Sequence, residues 1–144
     1  MKKDKRQFSK KIFYMRIKSL FDFLLAVIFI VIGFPFFIII ALLVKLSSRG
    51  PIFFLHKRVG KNNKIFECIK FRTMHSEAED ILENLFRNDE NSRIEFEENH
   101  KLKNDPRITK IGKFLRKTSL DEVPQFFNVL KMEMSIVGPR PIVK

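Results

Sequence analysis

One long apolar run dominates the pattern of hydrophobic and polar residues along the chain. Phe23 to Val44 are twenty-two residues without a charge, and none is more polar than Gly33. This length is enough for a helix to cross the hydrocarbon core of a bilayer, and it exceeds the apolar core of a cleavable secretory signal. Pro35 lies in the middle, where a missing N–H and a steric clash disfavour a regular helix. The sequence therefore predicts a membrane helix that is kinked or broken near Pro35.

Cationic residues flank this run on both sides. Eight Lys or Arg precede it, and eight more lie between Lys45 and Arg72. The positive-inside rule keeps such segments on the cytoplasmic side. A helix that enters the membrane, bends at Pro35 and returns satisfies both flanks, so we favour a re-entrant helix. The alternative is a single-pass anchor, because membrane helices tolerate proline better than soluble ones do.

Short segments typical of strands follow the apolar run. Pro51–Leu55 and Lys64–Phe71 are rich in β-branched and aromatic residues, and a turn-forming stretch at 60–63 separates them, which predicts a β-hairpin. Ser76 and Glu79 then form the pattern of a capping box, after which we expect a helix. Its buried face is predicted to carry Ile81, Leu82, Leu85 and Phe86.

Charge changes sign twice in the second half of the chain. Nine acids between Glu77 and Glu98 oppose two arginines, and we interpret this stretch as a solvated surface without chemistry. Between Lys101 and Lys117, seven cations oppose one acid. The spacing of four apolar residues there predicts an amphipathic helix with a cationic outer face: Ile108, Ile111, Phe114 and Leu115. Such a helix can lie on a membrane or bind a polyanionic substrate, or its face can simply be solvated.

Two adjacent carboxylates, Asp121 and Glu122, follow this cationic helix. Pro124 fits only the first turn of a helix, so a helix capped by Asp121 and continuing toward Met132 is predicted. Asp121 can therefore be an N-cap only, worth about 1 kcal/mol. The same position suits chemistry, because a carboxylate there can bind a divalent cation or attack phosphorus, and its neighbour can serve as a second ligand or a base.

An arginine between two prolines lies near the end of the sequence. Pro139 and Pro141 restrict the backbone around Arg140, so its planar guanidinium can bind phosphate in a bidentate manner at a small entropic cost. Alternatively, Arg140 lies in a rigid turn and pairs with Glu133 or Asp121.

Composition narrows the possible partners. The chain has 144 residues and a formal charge of +12, of which the first nineteen residues supply +7 through eight cations and one acid, so an anionic partner is expected. Nucleic acid is disfavoured because the charge abuts a membrane segment and no recognition motif is present. The single Cys68 forms no internal disulfide, and three scattered histidines disfavour a zinc site. We divide the chain into a basic amphipathic arm (1–19), a re-entrant membrane helix (20–46) and a cytoplasmic domain (47–144) that holds the candidate catalytic residues Asp121 and Glu122.

Six short motifs in this order resemble those of the bacterial sugar transferases, the monotopic polyprenyl-phosphate phosphoglycosyl transferases. The resemblance covers the chain from about Arg16 onward, and its motifs are Gly50–Phe54, Lys57–Gly60, Lys70–Met74, Asp105–Thr109, Leu115–Gln125 and Val137–Pro141. It implies an α+β, mostly helical fold with a re-entrant membrane helix and amphipathic helices at the membrane surface. It also implies a site on the cytoplasmic face of the bacterial inner membrane.

The resemblance implies transfer of a sugar 1-phosphate from a nucleotide diphosphate sugar to undecaprenyl phosphate, an early step of surface glycan biosynthesis. Asp121 would form a covalent phosphosugar intermediate, and Glu122 would act as a base or, with Asp121, as a Mg²⁺ ligand. Arg140 would hold phosphate, and the motifs add Arg72, Arg116 and Lys117 as candidate substrate-binding residues. The alternative is a truncated, inactive fragment that acts as a basic membrane-binding module.

Two positions and the length of the chain depart from the family pattern. Phe34 stands where a serine often precedes the helix-breaking proline, so one side chain that could satisfy freed backbone groups is missing. Arg49 replaces a common proline. Family catalytic domains also continue beyond the Gly-Pro-Arg-Pro motif, so we expect this chain, which ends at Lys144, to represent the N-terminal part of a longer protein.

Overall fold

Helices make up most of the described chain. The structure is a computed structural model that describes residues 2–60, 63–138 and 142, with side chains described from Phe13 onward. Its elements in chain order are α1 (Lys2–Ser47), β1 (Phe53–Val59), β2 (Ile65–Phe71), α2 (Ala78–Asn88), α3 (Glu90–Asn99), α4 (Lys110–Thr118), a 3-10 turn (Leu120–Glu122) and α5 (Gln125–Leu130). The predicted α+β, mostly helical fold is confirmed.

The apolar run lies within α1, which continues from Lys2 to Ser47 with Pro35 inside it. Of the predicted kink or break at Pro35, the break is therefore wrong, and the kink stays a prediction. A proline removes only one N–H donor, and the remaining intrahelical bonds on either side keep the helix assigned as one element. The re-entrant topology stays a prediction.

The side chains of α1 are mostly exposed. Among the described residues, Phe13–Ser47 is the one stretch long and apolar enough to cross a membrane, and only 6% of its most apolar window is buried. A core helix of a soluble protein would be mostly buried, whereas α1 exposes residues such as Ile32 and Phe36 at 70% and 68%. Length, composition and exposure together suit association with a membrane.

The predicted β-hairpin is confirmed, with shifted strand boundaries. β1 and β2 form a two-stranded sheet, and in β2 the side chains of Phe66 and Cys68 are buried while those of Ile65 and Glu67 are exposed, as expected of a half-buried strand. β1 runs to Val59 instead of ending at Leu55. Its polar second half carries no apolar alternation, so the sequence pattern did not indicate this extension.

The acidic stretch forms two helices, α2 and α3. The four apolar residues predicted on one face of α2 are all half-buried, and Glu83 and Asn84 between them are exposed, which confirms that face. The capping-box prediction is wrong, because α2 begins at Ala78 after Glu77, which provides no side-chain cap. The side-chain cap in this region belongs to Asp89, which accepts hydrogen bonds from the N–H groups of Asn91 and Ser92 and so starts α3.

The chain divides into two compact units. The first comprises residues 1–37, 55–70 and 123–144, and the second comprises residues 38–54 and 71–122. In the first unit Phe29 stacks on Phe126 with ring centroids 5.0 Å apart, and Phe37 meets Phe127 edge-on at 5.6 Å. These pairs anchor α5 on α1, which explains why a six-residue helix is stable there.

A buried amide lies at the centre of the first unit. Asn128 is fully buried, and its side-chain oxygen accepts a hydrogen bond from the N–H of Ile69 at 3.0 Å. Its nitrogen donates to the carbonyl oxygen of Glu67 at 2.7 Å and to the carboxylate of Glu133 at 2.6 Å. One side chain thus ties β2 to α5 and to the turn after α5.

The second unit contains a buried ion pair. Both oxygens of Asp105 accept from the guanidinium of Arg107, at 2.8 and 2.7 Å, and that guanidinium lies 5.3 Å from the ring centre of Phe96. Burial alone raises the pKa of Asp105, but hydrogen bonds from Arg107 and the charges of Arg107 and Arg116 outweigh it, so the pKa lies below its usual value.

Replacement of Asn128 by leucine is expected to lower the free energy of unfolding by about 2–4 kcal/mol, because three part-buried hydrogen bonds of a fully buried side chain are lost. The matched control, Asn84→Leu on the exposed side of α2, should change it by less than about 0.5 kcal/mol. Urea unfolding in detergent micelles, followed by circular dichroism because the chain has no tryptophan, measures both. Equal unfolding midpoints for the two variants would contradict the assigned role of Asn128.

The Asp105–Arg107 pair predicts a dependence of stability on pH. Because the folded pKa of Asp105 is depressed, its contribution is fully present above the unfolded pKa of about 3.9 and is lost as the pH falls through the folded value. Asp105→Asn should cost about 3 kcal/mol at pH 7, and the difference from wild type should shrink below about pH 4. A difference that stays constant down to pH 2 would contradict this, and Glu98→Gln on the exposed face of α3 serves as control.

Candidate functional site

The carboxylates of Asp121 and Glu122 lie in the short 3-10 turn after α4. Ser119 ends α4 in a left-handed conformation with φ 58°, and its N–H donates to the carbonyl oxygen of Arg116 at 3.3 Å. The N–H of Glu122 donates to the carbonyl oxygen of Ser119 at 3.2 Å. Asp121 and Glu122 are both half-buried. The turn is therefore bound to the last turn of α4, and its two acids are held in one place.

The predicted N-cap role of Asp121 is wrong. α5 begins at Gln125, and the residue before it is Pro124, which has no side-chain oxygen to offer. Pro124 has φ −62°, already suited to a first helical turn. The 3-10 turn takes up the residues that the sequence assigned to the start of the helix. The residue that precedes α5 is therefore Pro124, and Asp121 lies in the turn before it.

Two predicted cationic residues precede the acids on the same short stretch. Arg116 and Lys117 occupy the last turn of α4, and both are exposed. The Nε–H of Arg116 donates to the hydroxyl oxygen of Thr73 at 2.9 Å. Cations at a helix C-terminus are stabilised by the helix dipole, and here they lie within six residues of two carboxylates. This arrangement suits a reaction in which cations bind a phosphate group and a carboxylate attacks its phosphorus.

Arg72 is buried and contacts a different part of the chain. It is 8% exposed, and its Nη2 donates to the carbonyl oxygen of Ser48 at 2.7 Å, just beyond the end of α1. Gly50 has φ 116°, and a Cβ there would lie 2.3 Å from Nη1 of Arg72. Burial lowers the pKa of Arg72. Among the described residues, Nη1 is a buried polar atom without a hydrogen-bond partner. Through Nη2, the guanidinium holds the segment after α1.

The start of α4 depends on residues that the sequence interpretation missed. The side chain of Thr109 caps α4 by accepting from the N–H of Gly112 at 2.8 Å, and its own N–H donates to the carbonyl oxygen of Thr73 at 3.0 Å. Ile108 therefore precedes the helix, in an isolated bridge with Met74, instead of lying on its buried face. Phe114, also assigned to that face, is 56% exposed. Gly112, inside a helix with a strong apolar period, was the available signal of close packing.

Arg140 lies outside the described residues, together with Pro139 and Pro141. The segment just before it is attached to α1 within the first unit. The hydroxyl of Ser135 donates to the carboxylate of Asp22 at 2.5 Å, and the ammonium of Lys18 donates to the carbonyl oxygen of Val137. Lys18 and Asp22 lie one turn apart on α1, so both attach residues 135–137 to the same part of this helix.

Asp121 and Glu122 are the candidate Mg²⁺ ligands. Within the part of the chain that the structure describes, no group of three or more His, Cys, Asp or Glu side chains is arranged to hold a metal ion. Mg²⁺ commonly uses only one or two protein carboxylates, with water and substrate phosphate completing its coordination. Two adjacent, half-buried acids in a tight turn fit that requirement.

Known proteins are similar to this chain over most of its length. The sequence model of the family described as bacterial sugar transferase matches residues 13–144. An undecaprenyl-phosphate galactose phosphotransferase of Salmonella typhimurium is 48% identical over 128 residues, which is 88% of this chain and 26% of that protein. The exopolysaccharide production protein ExoY of Rhizobium meliloti is 45% identical over 127 residues, 88% of this chain and 56% of that protein.

A third relative, from Erwinia amylovora, is a UDP-galactose-lipid carrier transferase that is 45% identical over 128 residues, 89% of this chain and 27% of that protein. The chain thus spans between about a quarter and just over half of the length of these relatives. The family match covers nearly all of the chain and includes the stretch with Arg116, Asp121 and Glu122. The chain belongs to the bacterial sugar transferase family.

Proposed function

We propose that this chain carries the site that transfers a sugar 1-phosphate from a nucleotide diphosphate sugar to undecaprenyl phosphate. The observation that carries the proposal is the pair Asp121 and Glu122, held in a tight turn directly after the exposed cations Arg116 and Lys117. The names of the relatives from Salmonella and Erwinia, which mention undecaprenyl phosphate and UDP-galactose, support this substrate class. The reaction would begin the assembly of a surface glycan, in keeping with the name of the Rhizobium relative.

In the proposed first step, a carboxylate oxygen of Asp121 attacks the phosphorus that bears the sugar. A bond forms between Asp121 and this phosphorus, and the bridging bond of the diphosphate breaks, which releases the nucleoside monophosphate. In the second step, an oxygen of undecaprenyl phosphate attacks the same phosphorus. The bond to Asp121 breaks, and the product is a lipid diphosphate sugar with Asp121 regenerated.

The neighbouring side chains have supporting roles in this proposal. Arg116 and Lys117 offset the negative charge of the diphosphate, as cationic clamps do in phosphoryl transfer. Glu122 acts as a base or as the second carboxylate beside Asp121 for Mg²⁺. When bound, Mg²⁺ neutralises charge on the phosphates and polarises them. Arg140 is proposed to hold phosphate because the two flanking prolines restrict its backbone.

The proposed location is the cytoplasmic face of the bacterial inner membrane. Supporting this are the exposed apolar side chains of α1 and the cations on both sides of its apolar run. A re-entrant α1 would keep the basic arm and the residues after Ser47 in the same compartment as nucleotide sugars. Undecaprenyl phosphate would then enter from the lipid beside α1.

A second candidate function is a basic membrane-binding module without catalysis. The observation in its favour is the outer face of α4, where Lys110, Lys113 and Lys117 share a helix face with the exposed ring of Phe114. Such a face can bind an anionic lipid surface on its own. The module would retain the family fold but perform no transfer.

Replacing Asp121 by asparagine distinguishes these two functions. The protein is reconstituted in membranes with UDP-galactose, Mg²⁺ and undecaprenyl phosphate, and release of uridine monophosphate is measured. Because the amide is a poor nucleophile, Asp121→Asn should lower this rate by at least about 10³-fold, while Asp80→Asn, an equivalent change at an exposed acid of α2, should leave it unchanged. If wild type and Asp121→Asn are equally silent while liposome binding persists, the membrane-binding module is the better description.

The re-entrant topology is tested by cysteine labelling in intact vesicles. Lys10→Cys and Lys57→Cys should both react with a membrane-impermeant maleimide from the cytoplasmic side only, because both flanks of α1 are predicted to lie there. The wild-type chain is the control, since its only cysteine, Cys68, is 3% exposed. Labelling of the two sites from opposite sides would make α1 a spanning helix.

A further inference from the structure

Thr73 forms hydrogen bonds with residues at both ends of α4. It follows β2 after one residue and is 7% exposed. Its carbonyl oxygen accepts the N–H of Thr109, the cap of α4, at 3.0 Å. Its hydroxyl oxygen accepts the Nε–H of Arg116, in the last turn of α4, at 2.9 Å. One buried residue therefore meets the beginning of the helix through its backbone and the end through its side chain.

A glycine in the first turn of α4 fixes the distance between the helix and Thr73. A Cβ on Gly112 would lie 1.9 Å from the carbonyl oxygen of Thr73 and 2.7 Å from its carbonyl carbon, which no side chain allows. Gly112 lies four residues before Arg116, so both residues face the same side of the helix. The close approach at Gly112 therefore brings Arg116 within hydrogen-bond distance of the Thr73 hydroxyl.

The contact uses only one of the donors of Arg116. A guanidinium carries five N–H groups in a fixed plane, and bonding of Nε–H to Thr73 leaves four on the terminal nitrogens of an exposed residue. Asp105 is the nearby buried acid whose pKa responds to Arg116. Both of its oxygens already accept from Arg107. The carboxylate of Asp105 is thus bound to Arg107, and the terminal nitrogens of Arg116 can donate hydrogen bonds to a ligand.

We propose that Thr73 is a positioning residue that orients the guanidinium of Arg116 for bidentate binding of the nucleotide sugar diphosphate. The inference rests on the proposed function, and it assigns Thr73 no contact with the reacting atoms. A guanidinium held at Nε keeps its plane and its terminal donors in one direction, so less freedom is lost when phosphate binds. The backbone carbonyl of Thr73 holds α4 in place whatever side chain is present, so orientation of Arg116 and folding are separable.

The test compares Thr73→Val, which keeps the shape and removes the hydroxyl, with Thr73→Ser, which keeps the hydroxyl. With UDP-galactose as probe, Thr73→Val should lower kcat/KM about ten-fold, mainly through KM, and weaken the binding of uridine diphosphate to a similar extent. Thr73→Ser should stay within about two-fold of wild type. In an Arg116→Lys background, which lacks the Nε–H donor, Thr73→Val should add little further loss, as expected for two groups that act as one unit.

Hydrogen exchange of the Arg116 Nε–H, followed by nuclear magnetic resonance, tests the contact independently of turnover. It should be slow in wild type and Thr73→Ser and at least about ten-fold faster in Thr73→Val. Wild-type kcat/KM in Thr73→Val, with the Asp121→Asn effect intact, would overturn the inference and leave the proposed function standing. If wild type neither binds nor turns over the probe, the proposed function fails, and the ligand-orienting role of Thr73 fails with it. Equal exchange in wild type and Thr73→Val would overturn the inference separately, by showing that the Thr73 hydroxyl does not hold the Arg116 guanidinium.

Discussion

The close approach between the backbone at Thr73 and the first turn of α4 is the constraint on which the candidate site depends. It exists because residue 112 has no side chain, since a Cβ there would lie 1.9 Å from the carbonyl oxygen of Thr73. Thr109 adds a cap and a backbone hydrogen bond at the same point. From this contact, α4 runs about one turn to Arg116 and then into the turn that carries Asp121 and Glu122. The acids are thus placed by packing against Thr73, a residue almost fifty positions earlier in the chain.

Periodic elements could be predicted from the sequence because burial on one face leaves a regular pattern. The β-hairpin was predicted from β-branched and aromatic residues on either side of a turn, and α2 from four apolar residues on one face; both are confirmed. The long apolar run likewise predicted α1, because its length is enough for a helix to cross a membrane. The acidic pair and the cations before it were visible in the sequence, but adjacent acids also occur as helix caps, so the proposed catalytic role of the pair depends on the family resemblance.

Local backbone geometry could not be predicted in the same way. Ser76 and Asp121 have the sequence pattern of N-caps, yet neither starts a helix. Several neighbouring residues could begin a helix, and packing decides which of them does. Pro35 was expected to interrupt α1, but one lost hydrogen bond does not end a long helix. Arg72 became a candidate substrate-binding residue through a family motif. Its burial beside Gly50 depends on tertiary packing, which no short sequence pattern indicates. The contact between Thr73 and Arg116 spans forty-three residues, and no short-range pattern reports it.

The central claim is that Asp121 carries the phosphosugar between the two half-reactions. Intact-mass spectrometry of the protein after brief exposure to UDP-galactose and Mg²⁺, without undecaprenyl phosphate, tests it most directly. The proposed reaction predicts a mass increase of one hexose phosphate, localised to Asp121 and removed by hydroxylamine, as expected of an acyl phosphate. An adduct on another residue, or release of uridine monophosphate without any adduct, would contradict it.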